Sequence, residues 1–337
     1  MIINAHEDLD GRKISFWLSD VVSDGGQWNM IVSLVEKYGL VPKSVFPESA
    51  NGEASRDMNQ VLRSKLREAA FHLRGAEPEQ RQALRRDYMK EIFRIVTTCL
   101  GSPPTHFSWE ARTKDKKGFV KFQDMTPLQF YAEHVKPVFN FADKVCLIHD
   151  PRPSHNFGQT YSVERLGNVV GDGDAVYLNL SSAVLKKLAM DAIVDDQPVW
   201  FGCDVGKDLD RAGGVMDPRA HDLPLLLGTP ATTLTKAERL LAGDGVMTHA
   251  MVFTAVATTH KSGVTVPTRW RVENSWGNKN GDEGYYMMTD EWFSEHVYQV
   301  VVDRKYLPPA TAQQLLQTPI SLPPWDPLGA LAQHAQM

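Results

Sequence analysis

The sequence predicts an α+β fold, with helices gathered in its first half and most strands in its second. Three observations predict it. Apolar residues recur at helical spacing up to about residue 100; from about residue 175 the pattern changes to short runs rich in Val, Tyr, Trp, Phe and Thr, bounded by Gly, Pro, Asn and Asp; and only two short helical stretches interrupt those runs. At 337 residues and 42% apolar content the chain is long enough for about two domains and can bury a core.

In chain order, Asp24 can cap a helix through Tyr38 that puts Trp28, Ile31, Val32 and Val35 on one face, with Gly39 and Pro42 as its stop. Ser55 can cap a second helix carrying Met58, Val61, Leu62, Leu66 and Leu73. A third runs from about Ala83 to Leu100 on Leu84, Tyr88, Ile92, Val96 and Cys99, and Thr126-Pro127 opens a short fourth by the N-cap and N1 preference. Strands are predicted over 175–180, 199–205, 248–258, 268–274, 284–289 and 298–303, with helices over 182–191 and 290–296 among them. The segment Pro308–Met337 contains six prolines and is expected to lie extended over a surface. This divides the chain into a mainly helical part (1–165), a β-rich part (166–307) and a C-terminal arm (308–337).

The net charge of −5, spread without long single-sign runs, offers no electrostatic footprint for a nucleic-acid backbone or an anionic membrane. Neither a signal-peptide pattern at the start nor a run of 18 uncharged apolar residues occurs, and three cysteines are too few for a disulfide scaffold. These features predict a cytoplasmic protein. No cofactor motif and no metal motif is found: Gly171-Asp172-Gly173-Asp174, residues 278–284 and Lys114-Asp115-Lys116-Lys117 read as turns.

Two segments carry chemistry. His249 lies in an apolar strand after Met247-Thr248, and Asn274-Ser275-Trp276-Gly277 closes the next strand, 25 residues later. Two neighbouring antiparallel strands can bring His249 beside Asn274, whose amide oxygen would accept the imidazole Nδ1–H and leave Nε2 for a nucleophile. Trp276 can cover that bond and exclude water. A lone His and Asn would be a core residue and a turn residue; the Asn-Ser-Trp-Gly string, the His strand and the Gly-rich turn before Gly284-Tyr285, in this order, point to a catalytic pair.

These residues resemble the papain superfamily of cysteine peptidases, in particular its bleomycin hydrolase and aminopeptidase C branch. The resemblance extends over Asp24–Trp28, Glu36–Lys43, Val199–Lys207, Met288–Phe293 and Trp325–Ala332, and so over nearly the whole chain. It implies a papain-like fold and thiol-dependent hydrolysis of peptides or aminoacyl amides at free N-termini, in a homohexamer that encloses its active sites. His249 would be general base and acid, Asn274 would orient it, and Trp276 would shield the pair.

In that family the attacking thiol sits in a Gly-x-Cys-Trp segment at a helix N-terminus, where the helix dipole and the imidazolium favour thiolate. No such string occurs here. Cys99 lies about 150 residues before His249, close to the expected separation, but in the last turn of a predicted helix, where the dipole opposes a thiolate. Cys146 and Cys203 read as buried hydrophobes, and Gln27 as part of a first helical turn. The expectation is therefore that the Cys segment precedes Met1, in a longer protein, or has been lost, leaving a non-catalytic binding or assembly module.

The resemblance also implies that the C-terminal arm enters the cleft and offers its carboxylate to the substrate's α-amino group. Ala332 would be the specificity residue. Gln333–Met337 extend past it by about 17 Å when stretched, and are expected to be trimmed or to bend away.

Overall fold

The helical periodicity of the first hundred residues is realised as helices Trp28–Tyr38, Arg56–Gly75 and Pro78–Leu100. The computed structural model describes residues 8–23 and 25–332, the last by its backbone, and has two units. One comprises Met1–Gly26 and Met30–Phe141, the other Gln27–Asn29 and Ala142–Met337. Asp24, the expected cap of the helix through Tyr38, lies outside the described residues.

In the first unit the short helix Arg12–Ser19 has no strong sequence signal, and its end is satisfied from elsewhere. The Arg67 guanidinium donates to the carbonyls of Leu18 and Ser19, both at 2.8 Å, which supplies partners for orphan groups of the last turn. Ser55 stands at the expected N-cap, but its hydroxyl accepts from Asn59 Nδ2 at 3.2 Å and caps no backbone amide. The third helix begins at Pro78, earlier than its apolar spacing suggests, because Pro is tolerated in a first turn that needs no N–H partner. Thr126 closes a full capping box with Gln129, as Thr126-Pro127 predicts. Gly39, at φ +77°, is required: a Cβ there would lie 2.2 Å from the Pro127 backbone. The sequence reading missed the hairpin of strands β1 (Phe107–Arg112) and β2 (Phe119–Met125), whose turn is the Lys114–Lys117 segment. Trp109 and Phe122 stack across it at 5.6 Å.

The second unit is built on one sheet. Its strands are β3 (Lys144–Ile148), β4 (Thr160–Val163), β5 (Tyr177–Asn179), β6 (Val199–Cys203), β7 (Leu209–Asp210), β8 (Val215–Met216), β9 (His249–Lys261), β10 (Val264–Glu273), β11 (Tyr285–Thr289), β12 (Val297–Asp303) and β13 (Ile320–Leu322). They lie in the order β13-β4-β5-β3-β12-β6-β9-β10-β11-β8-β7. The six sequence-predicted strands all form; β3, β4, β7, β8 and β13 have shorter or weaker signals. Helix Ser182–Val194 covers the face whose core includes Leu147, Leu185, Phe201, Phe253, Trp270, Met288 and Phe293.

β9 and β10 form a long hairpin that turns at Ser262-Gly263, both at positive φ. The arm is not merely extended. It forms helix Pro309–Gln314, then β13, which pairs in parallel with β4, then a 3-10 turn over Pro327–Ala332. Among the described residues, no helix is long and apolar enough to cross a membrane.

Candidate active site

The site lies at one end of the β9–β10 hairpin. The entry to β9 is fixed to β6 by Thr248, whose amide donates to Cys203 O at 2.9 Å while its hydroxyl accepts from Val205 N at 3.2 Å. β9 begins at His249 and β10 ends at Glu273, paired with Val252, so the segment Asn274–Trp276 leaves β10 near the start of β9. The structure brings all three together.

Asn274 Oδ1 lies 2.9 Å from His249 Nε2 and accepts the Ser275 amide at 2.7 Å. The Ser275 N–H is an unambiguous donor, so the atom facing it is the amide oxygen, and His249 Nε2 must then carry the proton. This reverses the ring nitrogens of the sequence expectation, which gave Nδ1 to the asparagine. Asn274 lies just past the end of β10, and the imidazole is turned so that its Nε2 edge meets the amide. Nδ1, with its lone pair, makes no hydrogen bond among the described residues.

The half-buried Trp276 indole stacks on the imidazole at 4.9 Å and 29°, and meets Tyr286 edge-on at 6.2 Å. Burial holds the His249 pKa below the usual imidazole range; the Asn274 hydrogen bond opposes this and the positive charge of Arg211 adds to it. Arg211 has no counterpart in the sequence reading. Its guanidinium lies over the Trp276 ring at 4.3 Å. No periodicity or motif marks it, since it follows a two-residue strand at the sheet edge.

None of the three cysteines is placed as a nucleophile. Cys203 is the register partner of His249 across β6 and β9, but its thiol is fully buried and raised well above its ordinary pKa by that burial and by the nearby Asp204. Cys146 is pushed up to about 12, chiefly by burial. Cys99 belongs to the other unit, in the last turn of Pro78–Leu100, with its carbonyl accepting from Asn51. Among the described residues no group of three or more His, Cys, Asp or Glu could hold a metal ion.

The described part of the arm reaches this hairpin. Leu331 is buried with Leu240, Met247 and Tyr298, two residues upstream of His249 at Met247. Gly202 makes room for it: a Cβ there would meet Met247 Sδ at 2.3 Å and Leu331 at 3.5 Å. Farther back, Arg152 bridges Asp150 and Asp326, all three buried. Gln27, which the sequence places in a helical turn, is instead a fully buried residue ahead of the helix, and its Nε2 donates to Leu328 O at 3.1 Å. The Ala332 backbone closes the 3-10 turn. Residues 333–337, on which the trimming expectation rests, lie outside the described residues.

Residues 1–329 match the Peptidase C1-like family. Bleomycin hydrolase of Gallus gallus is 50% identical over 332 residues, covering 97% of this chain and 72% of its own length. Aminopeptidase C of Listeria innocua is 40% identical over 334 residues, covering 98% of this chain and 74% of its own. The crystal structure of PepW from Lactobacillus rhamnosis aligns with a TM-score of 0.92 at 40% identity, over 98% of this chain and 74% of that one.

Proposed function

Because the chain belongs to the Peptidase C1-like family and has its papain-like α+β fold, we propose that it serves a thiol-dependent aminopeptidase, supplying the His249–Asn274 half of the site. The substrates are peptides or aminoacyl amides with free N-termini, a class supported by the names of the bleomycin hydrolase and aminopeptidase C relatives. The observation that carries the reading is the Asn274 oxygen held between His249 Nε2 and the Ser275 amide.

In this reading Nδ1 takes the proton of an attacking thiol and later returns it to the leaving amine. Asn274 keeps the tautomer and orientation for both transfers, and Trp276 keeps water from their hydrogen bond. The thiolate comes from polypeptide outside these 337 residues, since each cysteine within them is buried or set at the wrong end of a helix. Leu331 beside Met247 supports an arm that ends near the scissile position, with Ala332 as its specificity residue. The protein is cytoplasmic, as its sequence features suggest, and assembles as a homohexamer, as the family resemblance implies.

The cysteine placement also favours a second reading, a non-catalytic relative that serves in binding or assembly. A fluorogenic aminoacyl amide separates the two. The 337 residues alone should give no alkylator-sensitive turnover, and the same chain preceded by a Gly-x-Cys-Trp segment should gain it. His249→Ala should then reduce kcat/KM by about 10³-fold or more. Turnover that is indifferent to His249 would overturn the catalytic reading, and failure of the extended protein to hydrolyse anything would leave the assembly role.

A further inference from the structure

We propose that Arg211 is a positioning residue of this site: its guanidinium, laid over the Trp276 indole, presses that ring against the His249 imidazole and keeps the imidazole where Asn274 holds it. The inference rests on the reading of His249 as the base and adds a fourth member to the group.

Both the guanidinium and the imidazole lie against the Trp276 ring. Arg211 Cζ is 4.3 Å from the indole centroid, and the indole is 4.9 Å from the imidazole at 29°. The sheet brings Arg211 there: it follows β7 directly, β7 pairs with β8, β8 with β11, and β11 with β10, whose end carries Asn274 and Trp276. Arg211 makes no salt bridge or hydrogen bond among the described residues, and the adjacent Asp210 gives Oδ1 to the Gly213 amide. An arginine over an aromatic face, with no carboxylate to draw it away, orders that ring and carries its charge into the stack.

The charge has a second effect, because a cation beside the stack disfavours the imidazolium. The other groups around His249 act differently. Cys203 opposite on β6 is a neutral buried thiol, Asp204 beside it is a buried carboxyl whose pKa is raised, chiefly by burial, and Glu273 at the end of β10 is exposed. Asn274 favours the charged ring through its hydrogen bond, so Arg211 is the cation that opposes it.

The test is the NMR titration of the His249 Cε1 proton in the full chain, with its signal assigned by its loss in His249→Gln. Arg211→Gln should raise the midpoint by about 0.3–0.5 pH unit, a difference that shrinks in ~1 M salt. Arg211→Lys, which keeps the charge, should stay near the wild-type midpoint, yet both variants should weaken the ring-current shift that Trp276 imposes on His249. Circular dichroism of Arg211→Lys controls for folding. An unchanged midpoint together with an unchanged ring-current shift in Arg211→Gln would overturn the proposal. Neither readout needs turnover, so a failure of the base reading shows separately, as hydrolysis indifferent to His249.

Discussion

Arg152 grips Asp326 with two hydrogen bonds, Nη1 to Oδ2 at 3.1 Å and Nη2 to Oδ1 at 3.0 Å, while Nε and Nη2 hold Asp150. One guanidinium thus pairs with two buried carboxyl groups, Asp150 near the start of the sheet unit and Asp326 just before its final 3-10 turn. Arg152→Met would strand both, and removing one side of a buried ionic group costs about 3–5 kcal/mol. Urea unfolding should show a loss of that order. Hydrogen exchange over residues 320–331 should speed up more than elsewhere. A variant with unchanged exchange in the arm would mean that Gln27 and Leu331 suffice to hold it.

The Asn274 oxygen, shared by His249 Nε2 and the Ser275 amide, predicts a single imidazole tautomer. Nitrogen-15 chemical shifts of His249 above its pKa should report a protonated Nε2 and a bare Nδ1. Asn274→Ala should relax this to a mixture. A wild-type ring protonated on Nδ1 would contradict the assignment.

His149 should shape the acid side of the stability curve. Its Nδ1 lies 3.1 Å from Leu180 O, and its pKa falls to about 4, chiefly through burial and then through the charge of Lys236. In the unfolded chain the imidazole protonates near 6.5. Between pH 6.5 and 4 the unfolded state binds a proton that the folded state refuses, so stability falls as pH falls through this window and the group contributes no slope above it. The full effect is about 3 kcal/mol, and His149→Phe should flatten the limb in urea titrations at pH 4.5, 5.5 and 7.

Lys236 acts on the alkaline side. Its ammonium is buried, donating to Ser294 O and Val297 O, and burial lowers its pKa to about 7. Below pH 7 the folded protein carries the whole cost of a buried cation. Between 7 and 10.5 the unfolded chain still binds the proton, so this group makes stability rise with pH by up to about 5 kcal/mol. The difference in unfolding free energy between wild type and Lys236→Met should therefore change with pH across that window, and a constant difference would refute a low pKa.

Gly202→Ala should destabilise by about 1–3 kcal/mol, because the new methyl meets Met247 Sδ in a filled core. Adding Met247→Ala should recover part of the loss. If the pair is no better than the single change, the methyl is obstructed by backbone instead.

The meeting of His249, Asn274 and Trp276 was readable because each sits in a string at the facing ends of two consecutive strands. The ring nitrogen was not readable, since it depends on which edge of the His249 ring is turned toward Asn274, which strand spacing alone leaves open. Arg211 and Arg152 were invisible for a different reason. Their partners, Trp276 and Asp326, are 65 and 174 residues away, and an isolated arginine in a loop has no period. The extended reading of the arm failed because prolines predict where hydrogen bonding is weak, whereas Leu322 and Leu331 find buried sites that order the segment between them.

The position of β12 in the sheet bears on how the protein is made. β3, β4, β5 and β13 lie on one side of it and β6 to β11 on the other, and among the described residues only β12 joins them. Ribosomal synthesis delivers β12 after every strand of both groups except the edge strand β13. Until residues 297–303 emerge, the nascent chain carries two part-sheets with open apolar edges at β3 and β6, whose closure spans long stretches of sequence and is correspondingly slow. Those edges are the places where a folding helper would be needed and where aggregation would start.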